Sequence, residues 1–220
     1  MTCIVGLELG GGRVLFGADS MDNDGASFTL ARSPKIWQAG DYIIGAAGHS
    51  YMCDWLQFCA DLPKRVTGDP ERWLRSKLIP ALECILRGID KSGDDERHGV
   101  DLLIGLAGMV FVVSPRPGEA IRAVDGFGAI GNGSEVAIGS LYTTARLEGF
   151  VPEPSDRIEM AINAAASRCL GVGGPIVMLE GSGVSRSLAT ARKGKASGGK
   201  ASGGGKVGRR AKPKAGKRRA

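Results

Sequence analysis

Thr2 stands directly behind Met1, and its small side chain leads us to expect that Met1 is removed and that no propeptide is needed. The α-amine this would free can act as the base for the residue's own hydroxyl, a known way to activate a weak nucleophile. Such an amine titrates at about 7.7–8.0, so a good share is neutral at working pH and able to take a proton. A lysine held nearby would lower the pKa of both groups through its charge, and a carboxylate would position that lysine. The chemistry in view is attack on an amide carbonyl, with an acyl group passed first to Thr2 and then to water. Cys3 could do the same as a thiol, but only once Thr2 had also been removed.

Other groups carry less. Read alone, Asp19 is a turn-capping carboxylate and Lys35 a surface residue after Pro34. His49 and Ser50 are adjacent, but a catalytic triad is a spatial arrangement that chain neighbours rarely form. Residues 126–131, GFGAIG, match a dinucleotide-binding pattern in form. A strand should then follow the next helix, whereas here that helix runs into GFVPEP and another helix, so tight-turn glycines are the better reading. Five cysteines without a C-x-x-C and two histidines, His49 and His98, make neither a disulfide framework nor a zinc site. No metal and no cofactor is expected, and reduced thiols suit a cytosol-like compartment.

These residues need elements to hold them. TCIVGLEL and VLFGADS, joined through Gly-Gly-Gly-Arg, read as a hairpin that begins at the N-terminus. A polar stretch, MDNDGASFTLARSP, leads into a second strand pair, KIWQ and DYIIGAAG. In the next segment Tyr51, Trp55, Phe58 and Leu62 recur at helical spacing, a stripe that reads as core or subunit interface. A second helix starts at Asp69-Pro70, with Pro80 predicting a kink or break inside it. After the solvated SGDDERHG come three short strands (DLLIGLAG, MVFVVS, AIRAV), then two helices split by FVPEP, then a last strand, GPIVMLEG. Strands and helices in runs rather than in strict alternation argue for a layered α+β domain.

Charge divides the chain. From Arg192 onward there are twelve Lys or Arg and no acid, and setting these aside leaves 17 basic against 23 acidic residues. The body therefore carries about −6 and the tail +12. Residues 182–220 are rich in Ala, Gly, Ser, Lys and Arg, with nothing to pack, and are expected to be disordered. Their positive run from 192 to 220 suits nucleic acid or another polyanion, with steep salt dependence. The N-terminus lacks a basic region followed by a long apolar run, and no segment approaches about 18 consecutive apolar residues. A soluble, cytoplasmic protein with no membrane partner is expected.

The run TCIVGLELGGGRVLFGADS, followed by PKIWQAGDYIIGAAGHS, resembles the opening of proteasome β-subunits. It is also similar to the simpler peptidase subunit of the bacterial heat-shock-locus protease (HslV-like). The resemblance spans most of residues 2–181, with its specificity in the first fifty. It implies a four-layer αββα sandwich of the N-terminal-nucleophile hydrolase type over 1–181, with 182–220 as tail. By the same resemblance Thr2 is the nucleophile, Asp19 orients Lys35, and Lys35 is the cation that lowers the pKa. The Gly48 backbone N–H would donate to the oxyanion, and residues 45–48 would flank the first specificity pocket.

Further along, Asn132 in AIGNGSE stands where an auxiliary serine is expected, and Cys169 and Val172 stand where a supporting Asp and Ser should fall. The activity implied is a threonine-type endopeptidase that cuts polypeptides inside a homo-oligomeric ring, fed by an ATP-dependent unfoldase. Two alternatives remain open: a weak or inactive proteasome-like scaffold tethered to nucleic acid by its tail, and a small-substrate amidase.

Overall fold

The first strand, β1 (Ile4–Gly10), shows why the sequence layers as it does. Cys3, Val5 and Leu7 face one way, into a cluster with two helices, while Ile4 faces the other way, into a second cluster. This is the two-residue period of an extended chain with both faces covered. β2 (Arg13–Ala18) returns antiparallel, with Val14, Phe16 and Ala18 on the second face. Gly6 is glycine because a side chain there would run into the Phe16 ring, and Gly105 meets the same ring from the facing sheet.

The structure is a computed structural model that describes residues 1–23, 27–65, 68–89, 99–115, 117–148 and 152–182. All of these lie in the first of two units, Met1–Ala189; the second, Thr190–Ala220, contains no described residue. The expectation of a disordered tail falls, past Ser182, outside the described residues, as does most of the solvated loop SGDDERHG.

β1 and β2 join β10 (Phe127–Ile130) and β11 (Val177–Ser182) in a four-stranded sheet ordered β10-β1-β2-β11. A five-stranded sheet contains β5 (Ile36–Ala39), β6 (Tyr42–Gly48), β7 (Val100–Leu106), β8 (Met109–Ser114) and β9 (Glu119–Ile121), in that order. The two sheets close on Ile4, Val14, Phe16, Ile36, Ile43, Leu103 and Val110. Outside the first sheet lie α4 (Ser134–Thr144) and α5 (Pro154–Ala166). Outside the second lie α1 (Ser50–Phe58) and the long helical segment that ends in α3 (Ile79–Ile89). The order helix, sheet, sheet, helix is the expected four-layer αββα sandwich.

Three local features differ from expectation. The polar stretch 21–34 contains a two-stranded ribbon, β3 (Met21–Asn23) with β4 (Phe28–Leu30). Residues 127–130, read as part of a glycine turn, are the strand β10; the left-handed glycines are Gly126 and Gly131 at its ends. Gly128 between them packs under Val112 and Leu103. The stripe on α1 is only partly buried: Met52 and Leu56 form its core face, while Tyr51 and Phe58 are exposed.

At Pro80 the helix runs on from α2 (Pro70–Trp73) through a π-turn over Leu74–Leu78 into α3. A proline has no N–H to give and would press on the carbonyl four residues back, and the wider turn takes up that strain. Asp69 caps this helix, its carboxylate accepting from the Glu71 N–H.

Candidate active site

Thr2 sits immediately before β1, where neighbouring backbone fixes it. The Gly133 N–H donates to the Thr2 carbonyl at 3.4 Å. Gly131, at φ 87°, lies so close that a Cβ there would overlap that same carbonyl oxygen. The β1–β2 register, Ile4 opposite Ala18, brings Asp19 alongside Cys3 and so next to Thr2. Asp19 is 1% exposed, and its carboxylate is fully engaged. Oδ1 accepts from the Cys3 N–H at 2.9 Å and from Lys35 Nζ at 3.0 Å; Oδ2 accepts from the N–H groups of Met21 and Gly173, both at 3.2 Å. A buried carboxylate stays tolerable only when paired and hydrogen-bonded in this way.

Lys35 precedes β5, and its carbonyl accepts from the Ala46 N–H of β6. Its ammonium has three protons and meets three acceptors: Asp19 Oδ1, the Met21 carbonyl at 2.6 Å and the Met1 carbonyl at 3.0 Å. That last contact reaches the peptide group joining Met1 to Thr2. Cys3 is a different case. Burial first, and then the Asp19 charge, push its thiol up to about 12, and it points into the helix-side core. It is a packing residue, not a nucleophile in waiting.

Gly48 ends β6 opposite Val100, at φ 143°, where any side chain would overlap the Gly99 carbonyl. It lines, with Thr2, two clefts. One, of about 160 Å³, includes Lys35, Ala46, Cys53 and Asp54; the other, of about 320 Å³, includes Gly99, Asp101, Gly131 and Asn132. Thr2 therefore borders both openings. Asn132 is at this mouth too, with Nδ2 3.3 Å from Met1 Sδ. The Cys169 thiol reaches the Asn132 carbonyl at 3.7 Å, while Val172 is buried in the helix-side core.

The sequence reading missed how the 171–175 turn takes part through its backbone. Gly173 donates to Asp19, and its carbonyl accepts from the N–H groups of Ser20 and Met21. Ser20 Oγ donates to the Pro175 carbonyl at 2.6 Å. The only signal of this in the sequence is the doublet Gly173-Gly174. Among the described residues, no group of three or more His, Cys, Asp or Glu is placed to hold a metal ion. Nor is any helix among them long and apolar enough to cross a membrane.

No protein-family model and no curated protein matches the sequence. Solved structures do match. The protein titled BPH from Thiobacillus denitrificans, in complex with epoxomicin, is 19% identical with a TM-score of 0.60, covering 83% of this chain and 100% of its own. Eukaryotic HslV from Trypanosoma brucei is 17% identical with a TM-score of 0.59, covering 81% and 98%. A Gly-1 mutant of Anbu from Hyphomicrobium sp. strain MC1 is 18% identical with a TM-score of 0.60, covering 83% and 82%. The chain thus has the HslV-like fold of the N-terminal-nucleophile hydrolases.

Proposed function

We propose that this chain is a threonine-type endopeptidase whose nucleophile is Thr2, freed by removal of Met1. The observation that carries the reading is the position of Lys35 Nζ. It holds the buried Asp19 carboxylate and the Met1 carbonyl at once, beside a threonine that opens onto two clefts. With Met1 gone, the α-amine of Thr2 takes the proton from Oγ as Oγ attacks the peptide carbonyl. The Gly48 N–H donates to the oxyanion that forms. The C–N bond then breaks, and the ammonium returns its proton to the leaving amine. Water, deprotonated by the same amine, releases the acyl group and restores the hydroxyl. Asp19 fixes Lys35, and Lys35 supplies positive charge where the amine must stay neutral enough to act as a base.

The assembly that fits this reading is a homo-oligomeric ring in the cytoplasm, fed by an ATP-dependent unfoldase. The domain would span 1–181, with 182–220 a disordered tail whose positive run, 192–220, contacts nucleic acid or another polyanion. A second reading, a weak or inactive scaffold, is favoured by one observation. Asn132, Cys169 and the buried Val172 occupy positions where the resemblance expects supporting Ser, Asp and Ser groups.

Intact mass and covalent labelling separate the two. The peptidase reading expects Met1 to be absent and epoxomicin, the compound bound to the Thiobacillus protein, to add one equivalent that disappears in Thr2→Ala. Retained Met1, or labelling that survives Thr2→Ala, would sink it. A small amide hydrolysed faster than any peptide would instead make the chain a small-substrate amidase.

A further inference from the structure

The smaller of the two clefts beside Thr2 is lined in part by side chains that the proposed chemistry does not use. One face of α1 looks into it: Ser50, Cys53, Asp54 and Gln57 recur at i, i+3, i+4 and i+7. Gln57 Nε2 donates to the Pro34 carbonyl at 3.3 Å, which ties that face to the residue before Lys35. Asp22 of β3 lines the same cleft. Neither Asp22 nor Asp54 is in an ion pair among the described residues. Lys35 is the cationic side chain among the lining residues, and its charge is matched by Asp19 at 3.0 Å. Burial, and then the Asp54 charge, push the Cys53 thiol up to about 11, so it stays neutral at working pH.

What remains is two carboxylates outside any ion pair among the described residues, both on exposed residues, with small residues, Ala46 and Gly48, and the Trp37 ring also in the lining. A long aliphatic stem ending in a cation fits such a cleft: the stem lies on apolar surface and the head meets the acids. An acidic side chain would face like charge there.

We propose that this cleft selects for arginine or lysine on the residue whose carbonyl is attacked, with Asp54 and Asp22 as the specificity-determining residues. The inference rests on the peptidase reading of Thr2, but part of its test does not.

The test uses the full chain with Met1 removed and three matched peptides bearing arginine, norleucine or glutamate at that position. Arginine should exceed norleucine in kcat/KM by about tenfold, the scale of one charge contact in a partly solvated site, with glutamate the slowest. Asp54→Asn and Asp22→Asn should each lower the arginine-to-norleucine ratio, and Asp54→Lys should bring glutamate ahead of arginine. Norleucine cut as well as arginine, or a ratio that neither Asp variant moves, overturns the specificity while leaving the peptidase reading intact.

If no peptide is cut in a Thr2-dependent way, the peptidase reading fails and binding decides this one. In the Thr2→Ala chain, N-acetyl-arginine amide should bind about tenfold more tightly than N-acetyl-norleucine amide, by NMR titration, and lose that advantage in Asp54→Asn. Equal binding of the two amides overturns the proposal.

Discussion

Asp19 and Lys35 meet at 3.0 Å, one carboxylate with no side-chain exposure and one ammonium with 14%, in a contact that links the end of β2 to the start of β5. The pair joins the two sheets at the end where Thr2 lies. Removing the cation leaves the carboxylate buried with only its three backbone N–H donors, so Lys35→Met should cost about 3 kcal/mol of stability in a denaturant titration. On the peptidase reading, the same variant should lower peptide hydrolysis by at least about a hundredfold, because the charge proposed to tune the amine is gone. Full activity in folded Lys35→Met would show that Lys35 is structural alone.

Gly131 tests how tightly Thr2 must be placed. Gly131→Ala forces a side chain into a left-handed backbone and against the Thr2 carbonyl, so stability should fall by roughly 1–2 kcal/mol or more. On the peptidase reading, activity should fall further than global unfolding explains, since Thr2, the proposed nucleophile, is displaced. Gly139→Ala makes the opposite case. It lies exposed within α4, where an added Cβ meets nothing within 4 Å, and should stabilise by roughly 0.5–1 kcal/mol. Thermal melts of the two variants moving in the same direction would contradict this account.

Glu8 supplies the acid dependence. Burial disfavours its charge, but the Arg122 hydrogen bonds, the Val110 N–H and the Arg122 charge outweigh that and hold its carboxyl below the usual range. Because the folded pKa is the lower one, the stabilisation is present above the ordinary glutamate value of about 4.3. It is lost as pH falls from there through the folded value. Stability measured from pH 6 downward should therefore decline below about pH 4.3, and Glu8→Gln should flatten that decline while lowering stability at pH 6.

The cysteines should separate by reactivity. Cys3 and Cys53 are held protonated at neutral pH, whereas Cys59 and Cys84 are exposed. Iodoacetamide at pH 8 should modify Cys59 and Cys84 first and leave Cys3 untouched until the protein unfolds, as peptide mass mapping would show. Cys53 should gain reactivity as pH approaches 11.

Much of the fold was legible because its strands and helices declare themselves over consecutive residues. The hairpin of β1 and β2, the pair β5 and β6, the Asp69-Pro70 helix start and the two helices around FVPEP all stand where patterning puts them. The two three-residue strands of the β3–β4 ribbon were not legible. MDN and FTL become strands by pairing with each other, and nothing in their composition says so. FGAI hid behind its glycines, which mark tight packing under Val112 and Leu103 as well as turns. On α1, helical spacing offered the stripe through Tyr51 and Phe58, while the sheet beneath buries Met52 and Leu56. Period gives a face; only the partner layer chooses which.

The sequence by itself determined that a threonine follows Met1, that an acid, a lysine and a glycine-ended strand come after it, and that the body and tail carry opposite charge. Only the tertiary structure decided that Asp19 would take four donors, that Lys35 would reach the Met1–Thr2 peptide, and that a glycine turn near the end of the domain would close over them. The reason is range. Capping and periodicity act between near neighbours, whereas the site depends on sheet register and on the close approach of backbones that the chain brings together only when both sheets have formed.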